Sequence, residues 1–237
     1  AMTHESHIVK AYTAEMAQLA SMIAEMGGYS EAAIAEAVQG LRRRDSAQAL
    51  RVVEGDRKID ALEAQISAFV VRLLALRQPM ATDLRTIVAS LKTASDLERI
   101  GDYAKNIAKR SLVLNRTPVT VPMAGIVNLS RMVEAMLHDV LDAYVAGDAD
   151  VAEQIRLRDE AVDDAHTDLF SELINCMVDD PRTISPCTHL VFIAKTLERI
   201  GDHTTNIAEN LVFQVRGERL GDRHAAEEGE TGLRLDP

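Results

Sequence analysis

The chain repeats itself. Leu97-Glu98-Arg99-Ile100-Gly101-Asp102 returns one hundred residues later as Leu197-Glu198-Arg199-Ile200-Gly201-Asp202, and Asn106-Ile107-Ala108 returns as Asn206-Ile207-Ala208. Between segments 91–110 and 191–210, ten of twenty positions are identical. Two unrelated helical stretches rarely share such a string. A repeat of this length is too long for one turn of a solenoid, so it predicts two packed bundles.

Helix-forming residues dominate, with apolar positions at helical spacing almost throughout. Six helices are expected. The first runs from about Ser6 to Arg44, with a kink or split near Gly27, Gly28 and Ser30. Its terminal Arg42-Arg43-Arg44 suits the negative end of a helix dipole. The second covers about Ser46 to Leu76 and stops before Gln78-Pro79, and the third covers about Ala81 to Asn115. The proline-punctuated stretch Thr117 to Pro122 reads as a linker. The fourth helix runs from Met123 to Ala146, the fifth from Asp148 to Val178, and the sixth opens on Ser185-Pro186 and ends near Gly217. The expected class is all-α: two tandem three-helix bundles, at 5–116 and 123–216. The polar, charge-mixed tail over 217–237 is expected to be disordered.

Composition removes several functions. The 26 Lys and Arg stand against 37 Asp and Glu, a net charge of −11, which argues against nucleic-acid binding. Aromatics are 3% with no Trp, too few for a base-stacking platform. The longest apolar run, Ile66 to Leu76, carries Arg72, so no transmembrane span is expected. The first residues carry no basic and then apolar leader pattern. Cys176 and Cys187 are too few for a zinc or disulfide framework and read as small hydrophobes. Phosphate loops, nucleophile elbows and HExxH motifs are absent from the sequence.

Acidic pairs remain. Residues four apart share a helix face, so Glu98 pairs with Asp102 and Glu198 with Asp202. Both pairs point away from the core stripe of Leu97, Ile100, Ala104, Ile107 and Ala108 and its repeat, toward solvent or a groove. The second helix carries Asp56 and Asp60 with Glu63 beyond them, and the fifth carries Asp159 and Asp163 with His166 in the place of Glu63. If the pairs face one another, four carboxylates converge in each bundle. Such clusters need a cation or a shared proton. Oxygen donors without thiolates suit Mg, Mn, Fe or Ca, and His166 extends the choice to Zn in the second half. One acidic pair alone is usually a solvated face; the duplication favours a site. Gly101 and Gly201, costly inside helices, imply a close approach by another helix or an ion's shell. Arg99 and Arg199 could bind phosphate or pair with the adjacent Glu. Asn106 and Asn206 could support a metal site or bridge helices.

These duplicated strings, each leading to Asn-Ile-Ala, resemble the paired signatures of the PhoU family, and Arg77-Gln78-Pro79-Met80-Ala81-Thr82-Asp83-Leu84-Arg85 resembles that family's entry into its third helix. The resemblance spans about residues 5 to 215. It implies two three-helix bundles with metal ions held on their surfaces, iron or zinc foremost, magnesium or manganese next. The implied ligands are Asp56, Asp60, Glu98 and Asp102, then Asp159, Asp163, Glu198 and Asp202. It also implies a non-enzymatic, cytoplasmic negative regulator of the Pho regulon. Such a protein links the ATP-binding subunit of the phosphate ABC transporter to the sensor histidine kinase of a two-component system. A homodimer is expected. The competing reading is a carboxylate-bridged metal hydrolase or phosphatase. It would require a general base beside the metals, and no nucleophile or unpaired His stands in register with both repeats.

Overall fold

In the computed structural model, residues 4–217 are described, with side chains from residue 11 onward. The tail expected over 217–237 lies, beyond Gly217, outside the described residues. The described residues form seven α-helices and one short 3-10 turn, with no strand. They are α1 (His4–Arg43), α2 (Ser46–Arg77), α3 (Thr82–Leu114), α4 (Ala124–Ala146), α5 (Ala149–Arg156), α6 (Asp159–Asp179) and α7 (Ile184–Arg216), with the 3-10 turn at Pro181–Thr183 before α7. Helices α1 to α3 make the first three-helix bundle. Helices α4 and α7 make the second, with α5 and α6 together filling the middle position.

Three expectations need correction. α1 is one helix, without a kink at Gly27. Gly27 instead admits Leu141 of α4, whose Cδ2 lies 2.6 Å from where a Cβ would stand. Ser30 is buried and donates to the carbonyls of Met26 (3.0 Å) and Leu97 (3.2 Å), tying α1 to α3. The predicted fifth helix is two helices, interrupted at Leu157 and Arg158. Arg156 closes α5 while Asp159 and Glu160 open α6, the charge arrangement that helix dipoles favour at a stop and a start. The last helix begins at Ile184 rather than after a Ser185 cap. Asp180 caps the preceding 3-10 turn by accepting from Arg182 N at 3.0 Å. Pro186 therefore sits in the first turn of α7, where its missing N–H costs nothing.

Other boundaries follow from local chemistry. Asp45 caps α2 by accepting from Gln48 N at 2.9 Å, and Asp148 caps α5 by accepting from Asp150 N and Val151 N, each at 3.0 Å. Arg44 leaves α1 in a left-handed conformation, φ 54°. Its guanidinium donates to the carbonyls of Leu114 (3.1 Å) and Asn115 (3.2 Å), satisfying the orphan end of α3.

The two bundles share one continuous core. Its centre is the pairing of α3 with α7, the repeated helices. Asp96 meets His203 and Asn210, while Arg110 meets His189, so the two helices run antiparallel. Tyr103 and His203 hold the same place in the two repeats, and their rings meet at 5.6 Å. A pseudo-twofold axis therefore passes between them.

The two repeat glycines differ in crowding. A Cβ on Gly101 would stand 2.7 Å from Ile59 Cδ1, whereas on Gly201 the nearest atom, Val162 Cγ1, is at 3.4 Å. Gly101→Ala is expected to lose about 1–2 kcal/mol, overpacking outweighing the helix gain. Gly201→Ala should be neutral or up to about 1 kcal/mol more stable. Urea denaturation of the two variants checks this, and the reverse order would refute it.

Candidate metal centre

The close approach at Gly101 and Gly201 is made by a neighbouring helix bearing an acid. Asp56 Oδ1 lies 3.5 Å from the Cβ position of Gly101, and Asp159 Oδ1 lies 3.5 Å from that of Gly201. Each glycine thus has beside it an aspartate from the middle segment of its bundle, α2 or α6, at a distance that would be ordinary contact with a Cβ. Asp56 Oδ1 and Asp159 Oδ1 are both buried without a hydrogen-bond partner. An orphaned carboxylate oxygen at equivalent places in both bundles is what a cation would satisfy.

The remaining predicted ligands gather around these two. In the first bundle, Asp60 is held above its usual pKa by desolvation, then by Asp56, Asp102 and Glu63. Glu98 is raised by desolvation, then by Asp102 and Asp60. In the second, Asp159 is raised by desolvation, then by Asp163, Asp202 and Glu198, and Asp202 by desolvation, then by Glu198 and Asp163. The structure therefore brings each predicted set of four into mutual repulsion. Asp56 is buried, Glu98, Asp102, Asp159 and Glu198 are half-buried, and Asp60, Asp163 and Asp202 are exposed. Each set opens onto solvent. His166 is half-buried on the same helix as Asp163. Among the described residues, no three His, Cys, Asp or Glu side chains are already gathered as a bound ion requires. The donor chemistry, oxygen atoms alone, is of the kind a hard cation takes.

The two sets differ in one residue that sequence reasoning passed over. Lys105 Nζ reaches Asp56 and, at 2.8 Å, Asp102. Hydrogen bonds to Asp102 and Asp56 raise its pKa, so it is a permanent internal cation. The second repeat has Thr205 in that place, and its hydroxyl donates to the Gly201 carbonyl at 3.1 Å. There, Lys195 approaches Glu198 at 2.6 Å and leaves Asp159 and Asp163 without an ammonium. The spacing Asp102-x-x-Lys105 was the available signal.

Other candidates resolve differently. Arg99 pairs with Glu98 at 3.6 Å and Asp102 at 3.8 Å, the salt-bridge alternative. Asn206 donates to Asp96 at 3.3 Å, bridging α7 to α3. Cys176 of α6 and Cys187 of α7 lie side by side as free thiols. Burial, then the neighbouring thiol, pushes Cys187 up to about 11, the opposite of an activated nucleophile.

Two stability outcomes follow. Lys105→Met leaves buried Asp56 without its cation and is expected to cost about 1–3 kcal/mol in urea denaturation of metal-free protein. Asp202 holds its proton longer folded than unfolded, so its contribution to stability falls as pH rises through its titration. Asp202→Asn should therefore melt higher than wild type at pH 7 in chelator. That advantage should fade as pH falls and be gone by about pH 3, where the carboxyl is protonated in both states.

The chain and its fold have known relatives. A family model described as the PhoU domain matches residues 23–111 and again 126–211. The chain is 47% identical over 215 residues to the phosphate-specific transport system accessory protein PhoU homolog of Caulobacter vibrioides, covering 90% of this chain and 94% of that one. It is 35% identical over 212 residues to the phosphate-specific transport system accessory protein PhoU of Escherichia coli K12, covering 90% and 88%. The crystal structure of PhoU from Pseudomonas aeruginosa superposes with a TM-score of 0.84 at 37% identity, over 87% of this chain and all of that one. With a duplicated domain match and full-length relatives, the chain belongs to the PhoU family.

Proposed function

We propose that this protein is a regulatory accessory of phosphate transport, acting by contact rather than by catalysis. Family membership across nearly the whole fold is the observation that carries this. In this proposal it works on the cytoplasmic side of the membrane as a homodimer. It joins the ATP-binding subunit of a phosphate ABC transporter to the sensor histidine kinase of a two-component system, and holds the phosphate-starvation response down when phosphate is plentiful. No helix among the described residues is long and apolar enough to cross a membrane, which suits a partner recruited to one.

Metal ions belong to the same proposal. Asp56, Asp60, Glu98 and Asp102 would hold one group, and Asp159, Asp163, Glu198 and Asp202 the other. The metal, iron or zinc foremost, would supply positive charge that cancels the repulsion within each set. The protein's own part is to seat Asp56 and Asp159 beside Gly101 and Gly201, and to open each set onto solvent. Neutralising that face would let an acidic chain approach a partner it otherwise repels. A metal hydrolase or phosphatase is the competing function. It would show turnover of phosphate esters by metal-loaded protein.

Two measurements test this. Capture of the transporter ATPase and of the kinase by wild-type protein, set against Glu198→Ala/Asp202→Ala, should succeed for wild type and weaken for the variant; equal capture removes the metal sites from the role. In metal titrations of chelator-treated protein, the second set should bind about tenfold more tightly than the first, because an ion at the first must displace Lys105 from two acids, Asp56 and Asp102, whereas Lys195 holds only Glu198 in the second. Loss of the tighter phase in Glu98→Ala/Asp102→Ala instead would reverse the assignment.

A further inference from the structure

On one flank of the pseudo-twofold axis, the Asp96 carboxylate of α3 sits against α7. It accepts from Asn206 at 3.3 Å and Asn210 at 3.1 Å, and its Oδ1 lies 2.9 Å from His203 Nδ1. The repeat places Thr196, Tyr103, Asn106 and Arg110 at the equivalent positions on the other flank. Here the acid is missing. Thr196 replaces Asp96 and turns its hydroxyl onto its own helix, to the Phe192 carbonyl at 2.7 Å. A cavity of about 560 Å³ opens at this place, lined by these four residues with Lys109, His189, Phe192, Lys195 and Arg199 among others, and no acidic residue lines it.

The cavity is more basic than its partner flank. Lys109, Arg110, Lys195 and Arg199 all line it, in a chain whose net charge is −11. Lys109 and Arg199 have no ion-pair partner among the described residues. Arg110 is held in place: its guanidinium stacks on Phe192 at 4.2 Å, and Nη1 lies 3.4 Å from His189 Nδ1. Burial and the adjacent Arg110 lower the pKa of His189, keeping it neutral and able to accept that bond. The Asp96 flank satisfies one carboxylate with three donors. Lys195 already pairs with Glu198 at 2.6 Å, but Arg110, Arg199 and Lys109 with Asn106 and Tyr103 still exceed what a single carboxylate can accept. Two fork-shaped guanidinium groups and the Lys109 ammonium suit the higher charge and oxygen count of phosphate. Phe192, Val113 and Tyr103 supply an apolar wall for an organic portion.

We propose that this cavity binds a phosphorylated small molecule, seated where the second repeat omits its internal carboxylate. The site adjoins the second carboxylate set through Lys195, which pairs with Glu198 at 2.6 Å, and does not rest on the accessory role. Phosphate groups could arrive on inorganic phosphate, on an inorganic polyphosphate or on a nucleotide.

Calorimetric titration of the full chain, chelator-treated and in phosphate-free buffer at low salt, separates these sources. The arms are inorganic phosphate, tripolyphosphate and ATP, and the tightest binder identifies the source. Arg110→Gln/Arg199→Gln should weaken that binding at least about tenfold. Thr196→Asp, which restores the missing carboxylate, should abolish it. Thr196→Val, similar in size without charge, should keep it, and melting curves establish that each variant is folded. If Thr196→Asp fails to fold, the double Gln variant against Thr196→Val decides alone. Absence of heat from all three phosphates at millimolar concentration would overturn the proposal. So would affinity unchanged in the double Gln variant, or binding of an oligoglutamate peptide where no phosphate binds.

Discussion

The antiparallel packing of α3 against α7 is the constraint from which the rest follows. Each is the repeated helix of its bundle, and each must bury one stripe inside its own bundle while presenting a second surface to its twin. Tyr103 and His203 mark where the two meet. Because a helix and its duplicate pack across a pseudo-twofold axis, every residue near the axis faces two environments related by symmetry. Duplication set both flanks equal at the start. Divergence on either flank then changes one site without disturbing the seam that supports both.

Two such divergences organise the surface chemistry. Lys105 supplies a built-in cation to the first carboxylate set, and Thr205 withholds it from the second. Asp96 supplies a built-in anion to one flank of the seam, and Thr196 withholds it from the other. Each substitution removes one internal counter-charge, and an ion pair, Lys195 with Glu198, links the second acidic set to the basic cavity. Like charges held close together repel, so such places favour a ligand of opposite sign. The acidic sets and the basic cavity are opposite expressions of the same arrangement. The whole protein is acidic, so the cavity concentrates positive charge against the background field.

Much of this was legible in the chain. Helix identity followed from apolar spacing, because a 3.6-residue period places one face on the core regardless of partners. Ile59, Leu62, Ile66, Phe69 and Leu73 are buried as the stripe on α2 requires. The break at Leu157 was missed because apolar spacing continues through it: Ile155 and Val162 are both buried, seven residues apart. Only the charge change from Arg156 to Asp159 marked the interruption. The kink expected at Gly27 was wrong because a helical glycine signals either weakness or contact, and only the position of Leu141 distinguishes them.

The sequence by itself determined that the protein is a duplicated helical chain carrying acidic pairs at one-turn spacing in both copies, since helical periodicity and self-similarity are local properties of the string. Tertiary structure alone decided what those residues face. It set Asp56 and Asp159 against glycines, brought Lys105 between two acids of one set, and placed Cys176 beside Cys187. It also joined Arg110 and Arg199 around one cavity from opposite repeats. Contacts between helices depend on rotation and register about axes far apart in sequence, and one hundred residues of separation carry no local signal of which side chains will meet.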